Sequence, residues 1–212
     1  MNPLLLLLLL SAAPKSMLLM PGTYFGTEIQ AADGDSYLAL CEGGNELRPV
    51  RLRVQQVGDS PPREGVPTGT DVSAPCDPIV LLRDVQGVRE GPVEQAQVTL
   101  PPLGTASSAT WPSSARIELR GGTWRIERTS LGETGFRLTF HGGPEPVVLF
   151  EAQETDDGGW ELLWAGDLNR DGGLDFVLRT SRHYSVSHYR LFLSGAGKKG
   201  VREAAVFESV GC

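Results

Sequence analysis

Short runs in which apolar and polar residues alternate recur along this chain of 212 residues. Residues 50–54 have this period of two, and Trp160, Leu162 and Trp164 repeat it, which predicts all three on one face of a strand. Turn-forming residues recur about every 8–12 residues, and no long stretch has the period of a helix. The pattern predicts an all-β fold of antiparallel meander or sandwich-like sheets, with few or no helices after an N-terminal targeting segment.

A glycine pair gives the clearest hairpin signal in the sequence. Gly121 and Gly122 lie between two strand-like runs at residues 115–120 and 123–128. Because both glycines can take a positive φ, they are predicted to form a two-residue turn between antiparallel strands.

Two stretches rich in proline, glycine and serine are predicted to be loops. They cover residues 58–76 and 101–114. The second loop is interpreted as a soft boundary between two sub-lobes. It divides the chain into a predicted N-terminal β lobe at residues 21–100 and a predicted C-terminal β lobe at residues 115–212.

The N-terminus has the pattern of a secretory signal peptide. Residues 4–10 are all leucine, and Ser11, Ala12 and Ala13 follow them. The apolar run is far shorter than the roughly 20 residues that span a bilayer, so no transmembrane anchor is expected. Residues 1–20 are therefore predicted to be a signal peptide, and the protein is predicted to be exported, either to a periplasm or to the exterior.

Three cysteines agree with an oxidising compartment. They are Cys41, Cys76 and Cys212, and an odd number implies one bridge with a spare thiol, or an intermolecular link. The favoured bridge is Cys41–Cys76, which would close a loop of about 35 residues. Three free thiols remain the alternative.

The charge of the chain is negative and unevenly spread. The formal net charge is −7, and no cluster of lysine and arginine is present, so a nucleic-acid partner is not expected. Between residues 151 and 175, eight acidic side chains stand against one basic side chain, Arg170, which gives −7 in that stretch alone. Carboxylates at this density repel one another unless solvent or a cation screens them.

One loop in this acidic stretch has the spacing of a calcium site. Counted from Asp167, oxygen-bearing side chains occupy positions 1, 3, 5 and 9, and Gly172 at position 6 permits a sharp turn. Calcium binds six to eight oxygens, which a tight loop can supply from alternate residues. Leu168 and Leu174 are expected to anchor the loop on the core. The predicted ligands of Ca²⁺ are Asp167, Asn169, Asp171, Asp175 and the backbone carbonyl of Gly173.

The segment at residues 166–177 resembles the calcium loops of FG-GAP and VCBS repeats, which occur in integrin-type β-propellers. The resemblance implies that the loop joins two strands and that the side chains at positions 1, 3, 5 and 9 bind calcium. A helical calcium hand would carry a glutamate at position 12, where this chain has Leu178. Only one copy is present, so the resemblance implies the ion site and not a propeller or its ligands.

No catalytic residue or organic cofactor is assigned. His183 and His188 are close to serines, but neither a Gly-x-Ser-x-Gly elbow nor a His-Glu-x-x-His motif occurs, and a surface loop is the preferred interpretation. The four tryptophans are expected to pack in the core rather than form a sugar-stacking surface. The sequence favours an exported, non-catalytic calcium-binding module for a protein or glycan ligand. The alternatives are an extracytoplasmic hydrolase with a structural calcium, and an envelope structural or assembly factor.

Overall fold

The computed structural model describes residues 15–25, 28–41, 43, 45–58, 69–101, 111–195 and 200–210. Those residues form eighteen β-strands and no helix, which confirms the predicted all-β class. No helix among them is long and apolar enough to cross a membrane. The strands are β1 (Met17–Leu19), β2 (Gly22–Phe25), β3 (Ser36–Cys41), β4 (Glu46–Arg51), β5 (Arg53–Val57), β6 (Gly69–Ser73), β7 (Pro78–Arg83), β8 (Gly91–Pro92), β9 (Glu94–Gln95), β10 (Gln97–Thr99), β11 (Ser114–Leu119), β12 (Gly122–Leu131), β13 (Gly135–His141), β14 (Val147–Ala152), β15 (Asp157–Asp167), β16 (Asp175–His183), β17 (Val186–Ser194) and β18 (Val201–Val210).

These strands pair in four sheets, and neighbouring strands within each sheet run antiparallel. The strand orders are β1-β7-β3-β4-β8 in sheet 1, β2-β6-β5 in sheet 2, β10-β11-β12-β13-β14 in sheet 3 and β18-β17-β16-β15-β9 in sheet 4. Sheets 3 and 4 are four-stranded meanders, β11–β14 and β15–β18, each extended by one short strand. Because β9 and β10 precede residue 101, the first half of the chain supplies strands to both of these sheets. The division into two lobes stays a prediction.

Three clusters of buried side chains set the order of the sheets. The 3/4 core includes Phe136 of sheet 3 and Phe176 of sheet 4. The 1/4 core includes Leu40 of sheet 1 and Val177 of sheet 4. Since Phe176 and Val177 are neighbours on β16 and point to opposite faces, sheet 4 is buried on both sides. A third cluster, the 1/2 core, joins Ala39 and other residues of sheet 1 to sheet 2.

A bulge in β15 overturns the prediction that its tryptophans share one face. The pairing of β15 with β16 shifts register between Leu162 and Trp164. Trp160 therefore lies in the 3/4 core, while Trp164 lies in the 1/4 core. Trp111 and Trp124 are partly buried against the 3/4 core, so the expectation of core packing is confirmed for all four tryptophans.

The predicted hairpin between β11 and β12 is present, but its turn is displaced by one residue. Leu119 pairs with Gly122, so the two turn residues are Arg120 and Gly121, with φ of 49° and 76°. Gly122 instead begins β12, where the ring of Trp124 lies so close that a Cβ would come within 2.2 Å of it. The shift places an arginine at the tip of the hairpin.

Two further local predictions were wrong. Residues 50–54 do not form one strand: β4 ends at Arg51 in sheet 1, and after the buried Leu52 the chain enters sheet 2 as β5. The predicted loop at residues 58–76 contains β6, which pairs with β2 and β5. Residues 59–68 of this loop and residues 102–110 of the predicted boundary lie outside the described residues.

The predicted disulfide between Cys41 and Cys76 is confirmed. The two Cα atoms are 5.9 Å apart, and 35 residues separate the cysteines in sequence. The bridge joins the end of β3 to the segment that leads into β7, its neighbour in sheet 1. Cys212 lies outside the described residues.

Strand β1 falls inside the segment predicted to be a signal peptide. It pairs antiparallel with β7 at the edge of sheet 1. Leu18 is buried in the 1/4 core and Leu19 in the 1/2 core, so this short strand contributes to both. The leucine run at residues 4–10 lies outside the described residues.

Candidate metal centre

The predicted calcium loop connects β15 to β16 at one end of sheet 4. Gly166 pairs with Asp175, which closes the loop at its base. Leu168 is buried in the 1/4 core and Leu174 in the 3/4 core. The two leucines thus anchor the loop on the core, as expected, and they do so on opposite faces of the sheet.

Asp175 is fully buried and organises the loop through its carboxylate. Its Oδ2 accepts hydrogen bonds from the backbone N–H of Leu168 at 2.8 Å and of Asn169 at 3.0 Å. Its Oδ1 accepts one from the backbone N–H of Ser194 at 2.7 Å. Burial nevertheless raises the pKa of Asp175 to about 6, because removal from water disfavours the charged carboxylate more than these bonds favour it.

The hydroxyl of Ser194 links two loop carboxylates. Ser194 Oγ lies 2.9 Å from Oδ1 of Asp175 and 2.9 Å from Oδ1 of Asp171. One hydroxyl carries one proton, so it can donate to only one of the two oxygens. A proton on Asp175, or a cation between the carboxylates, would relieve the remaining oxygen–oxygen contact. Sequence reasoning missed Ser194 because it lies at the end of β17, 19 residues after Asp175.

Asp167 is also buried, with 1 % of its surface exposed. Its Oδ2 accepts a hydrogen bond from the backbone N–H of Gly172 at 3.0 Å and lies 3.0 Å from Nη1 of Arg120. Its Oδ1 is buried and has no hydrogen-bond partner among the described residues. A buried carboxylate oxygen without a partner is costly, so this atom is where an additional cation would be favoured.

Asn169, Asp171 and Gly173 form the outer part of the loop. Oδ1 of Asn169 accepts a hydrogen bond from the backbone N–H of Asp171 at 3.0 Å. Oδ1 of Asp171 accepts one from the backbone N–H of Gly173 at 2.7 Å. A Cβ on Gly173 would lie 2.3 Å from Ser194 Oγ and 2.9 Å from Asp171 Oδ1, so only glycine lets these side chains approach the backbone here.

The structure brings the five predicted ligands into one loop without gathering their carboxylates around a point. Within the described part of the chain, no group of three or more histidine, cysteine, aspartate or glutamate side chains is arranged to hold a metal ion. The reason is visible in the hydrogen bonds, since the acidic oxygens face backbone amides, Ser194 and Arg120. The calcium site therefore stays a prediction.

The chemistry of the loop still fits calcium. All the predicted side-chain ligand atoms of the loop are hard oxygens, which Ca²⁺ prefers. Two observations are consistent with a bound cation: Oδ1 of Asp167 has no hydrogen-bond partner among the described residues, and the single hydroxyl proton of Ser194 is available to both Asp171 and Asp175. The residues that would hold the ion are those same three aspartates together with Asn169 and Gly173.

The loop is also the meeting point of three sheets. Nη2 of Arg170, whose φ is 62°, donates to the carbonyl oxygens of Arg89 and Glu90, each at 2.7 Å, just before β8 of sheet 1. Arg120 reaches the loop from the hairpin of sheet 3. Ser194 belongs to sheet 4 itself. An ion here would bind at the junction of sheets 1, 3 and 4.

The serine- and histidine-rich segment at residues 181–189, predicted to be a surface loop, is the hairpin formed by the ends of β16 and β17. Its turn lies at the surface, where Tyr184 is 69 % exposed. Nδ1 of His183 lies 2.8 Å from Oγ of Ser185, and its Nε2 lies 3.2 Å from Oδ2 of Asp156. The side chains of His183 and Asp156 are 41 % and 70 % exposed. His188 is paired separately with Glu208, at 2.8 Å.

No protein-family model, curated protein or solved structure matches the chain. The resemblance to FG-GAP and VCBS loops therefore rests on the spacing of residues 166–177 alone.

Proposed function

We propose that this protein is an exported calcium-binding β protein, in which a single ion stabilises the junction of sheets 1, 3 and 4 and thereby supports a non-catalytic binding or interaction module. One observation carries the proposal. Asp167 presents a buried carboxylate oxygen that has no hydrogen-bond partner within the described part of the chain, in a loop whose other two aspartates share one hydroxyl proton from Ser194.

The charges of the loop favour the protein with a bound cation over the ion-free protein. Asp167, Asp171 and Asp175 bring three negative charges, of which Arg120 offsets one by direct contact. Arg170 lies in the loop, but its guanidinium is engaged with two backbone carbonyls of the neighbouring segment. A divalent ion would balance the remaining two negative charges.

Export and calcium binding support each other. A disulfide in sheet 1 suits an oxidising compartment, as does the leucine run that begins the chain. Extracellular calcium modules commonly have Kd of about 10⁻⁴–10⁻³ M, and such a site would fill outside the cell and stay empty in the cytosol. The ligand of the module would be a protein or a glycan, in the periplasm or outside the cell.

The alternative of an extracytoplasmic hydrolase has one specific observation in its favour. Ser185, His183 and Asp156 form a chain of hydroxyl, imidazole and carboxylate. Its exposure at a hairpin tip weighs against it, because a nucleophile and its base work in a pocket that binds the substrate and excludes water. Hydrolysis of ester or peptide substrates that disappears in Ser185→Ala would favour the hydrolase.

The experiment that tests the proposal is a thermal melt of the protein with chelator, with millimolar calcium and with magnesium. Binding at tenfold excess over Kd adds about 1.4 kcal/mol, which corresponds to a rise in Tm of roughly 3–6 °C for a chain of this size. The rise should be specific for calcium and absent in Asp167→Ala. Glu154→Ala is the matched control, because it removes an exposed charge from the same acidic stretch outside the loop. An equal calcium-dependent rise in Asp167→Ala would refute the proposal.

A further inference from the structure

Arg120 reaches the candidate metal centre from the β11–β12 hairpin of sheet 3. It occupies the first position of the turn between β11 and β12, where its φ of 49° directs the chain back sharply. Nη1 lies 3.0 Å from Oδ2 of Asp167, and Nε donates to Oε2 of Glu94 at 2.6 Å. Glu94 in turn is the strand partner of Asp167 across β9 and β15.

The two ends of this ion pair differ in their access to solvent. The Asp167 carboxylate is 1 % exposed, whereas the Arg120 side chain is 49 % exposed. Arg120 also lines an open polar cavity of about 460 Å³ together with Glu94 and the hairpin. The guanidinium therefore has room to move toward solvent, but the carboxylate that it neutralises has none.

We infer that Arg120 sets the cation affinity of the loop: it is a built-in positive charge that neutralises Asp167 and keeps the site weak for calcium. The inference rests on the proposed function and names Arg120 as the residue that lowers the calcium affinity of the proposed site. Arg120 contacts Oδ2 of Asp167, whose Oδ1 is buried and has no hydrogen-bond partner among the residues that the structure describes. An ion at Oδ1 and the guanidinium would therefore repel each other.

The net charge of the loop shows the direction of the effect. The three carboxylates and the Arg120 guanidinium sum to −2, and without Arg120 the carboxylates sum to −3, while the charge of Arg170 in the loop is the same in both cases. Calcium affinity in oxygen-ligand loops rises with the number of charged ligands. Because solvent screens the half-exposed guanidinium, we expect removal of its charge to tighten calcium binding by about tenfold, rather than by the larger factor of a fully buried pair.

Glu94 holds the guanidinium in place and supplies a second way to test the inference. Glu94→Gln removes the charge that competes with Asp167 for Arg120. The guanidinium then interacts more strongly with Asp167, and calcium affinity should fall. Arg120→Gln and Glu94→Gln are therefore expected to change the affinity in opposite directions, although both residues lie outside the loop.

The test is a calcium titration of the protein and of four variants by isothermal calorimetry in metal-depleted buffer. Arg120→Gln should bind calcium about tenfold more tightly, Arg120→Lys should bind like the wild type, and Glu94→Gln should bind more weakly. Arg116→Gln is the matched control, since it removes the same charge from the same hairpin at a residue paired with Glu118 instead of the loop. Its affinity should not change.

A melt in chelator gives a readout that does not depend on calcium. Arg120→Gln should lower Tm there more than Arg116→Gln, because it leaves the buried Asp167 carboxylate without its cationic partner.

Each outcome of the titration is decisive. Equal or weaker binding by Arg120→Gln would overturn the inference while leaving the proposed calcium site intact. Binding by Arg120→Gln but not by the wild type would support the inference and show that the arginine itself occupies the site. Failure of both proteins to bind calcium would overturn the inference together with the proposed function.

Discussion

Raising the pH in the absence of calcium is expected to destabilise the protein through Asp175. The pKa of this buried carboxyl is raised from 3.8 to about 6 in the folded protein, chiefly by desolvation. For an acid with a raised folded pKa, the contribution to stability is fully present below pH 3.8 and is lost as the pH rises through about 6. The difference between the two values corresponds to roughly 3 kcal/mol in the free energy of unfolding.

Calcium should reverse much of this loss. A cation beside Asp175 favours the charged carboxylate and lowers its pKa, so calcium and the proton compete for the same group. The rise in Tm caused by calcium should therefore grow between pH 5 and pH 7. At roughly 2–4 °C for each kcal/mol, full relief of the penalty would raise Tm by about 6–12 °C at the higher pH.

The assay is a set of thermal melts at pH 5, 6 and 7, each in metal-depleted buffer and in saturating calcium. The difference between the two buffers at each pH isolates the loop, because other carboxyls contribute equally to both. Asp35, whose pKa is lowered mainly by a hydrogen bond from Ala32, and Glu151, whose pKa is lowered mainly by Arg137, gain stability as the pH rises in either buffer. A calcium-induced rise that is constant or smaller at pH 7 would refute the competition.

Three further changes test other parts of the structure. Replacing Cys41 and Cys76 by serine should lower the free energy of unfolding by about 3–4 kcal/mol, because the disulfide closes a loop with a sequence separation of 35 residues. Chemical denaturation under non-reducing conditions measures this difference, and a loss below about 1 kcal/mol would contradict it. A chain that begins at Pro21 should have a lower Tm than one that begins at Lys15, because it lacks β1 and the burial of Leu18 and Leu19. Equal Tm values would contradict this. N-terminal sequencing of the exported protein should accordingly find β1 retained. Gly173→Ala should lower Tm and abolish the calcium-induced rise in Tm, since the added Cβ would clash with Ser194 Oγ. Adding Ser194→Ala to the same chain should recover part of the lost Tm. An unchanged Tm in Gly173→Ala would contradict the close contact.

Local sequence patterns predicted the strands of this protein better than their faces and turns. The strand-like runs at residues 115–120 and 123–128 correspond to β11 and β12. The two faces of β15 were not predictable, because the bulge at Leu162 and Trp164 shows only in the pairing with β16. The displaced turn of the β11–β12 hairpin was not predictable either, because the close contact between the ring of Trp124 and Gly122 shows only in the folded strand.

The candidate site was predictable only where it is continuous in sequence. The spacing from Asp167 to Asp175 identifies the loop and its glycines, since alternate residues of a tight loop can supply ligand oxygens to one ion. Ser194 and Arg120 carry no such signal. They reach the loop from β17 and from the hairpin of sheet 3, and only the packing of the sheets shows that they contact Asp175 and Asp167.

Direct titration of calcium into the protein tests the central claim most directly. Isothermal calorimetry in metal-depleted buffer at pH 7 should show one ion bound for each chain, with Kd of about 10⁻⁴–10⁻³ M, and no binding in Asp167→Ala. Magnesium at the same concentration should not replace calcium. Absence of calcium binding at millimolar concentration, or the same binding in Asp167→Ala, would contradict the assignment of this loop as a calcium site.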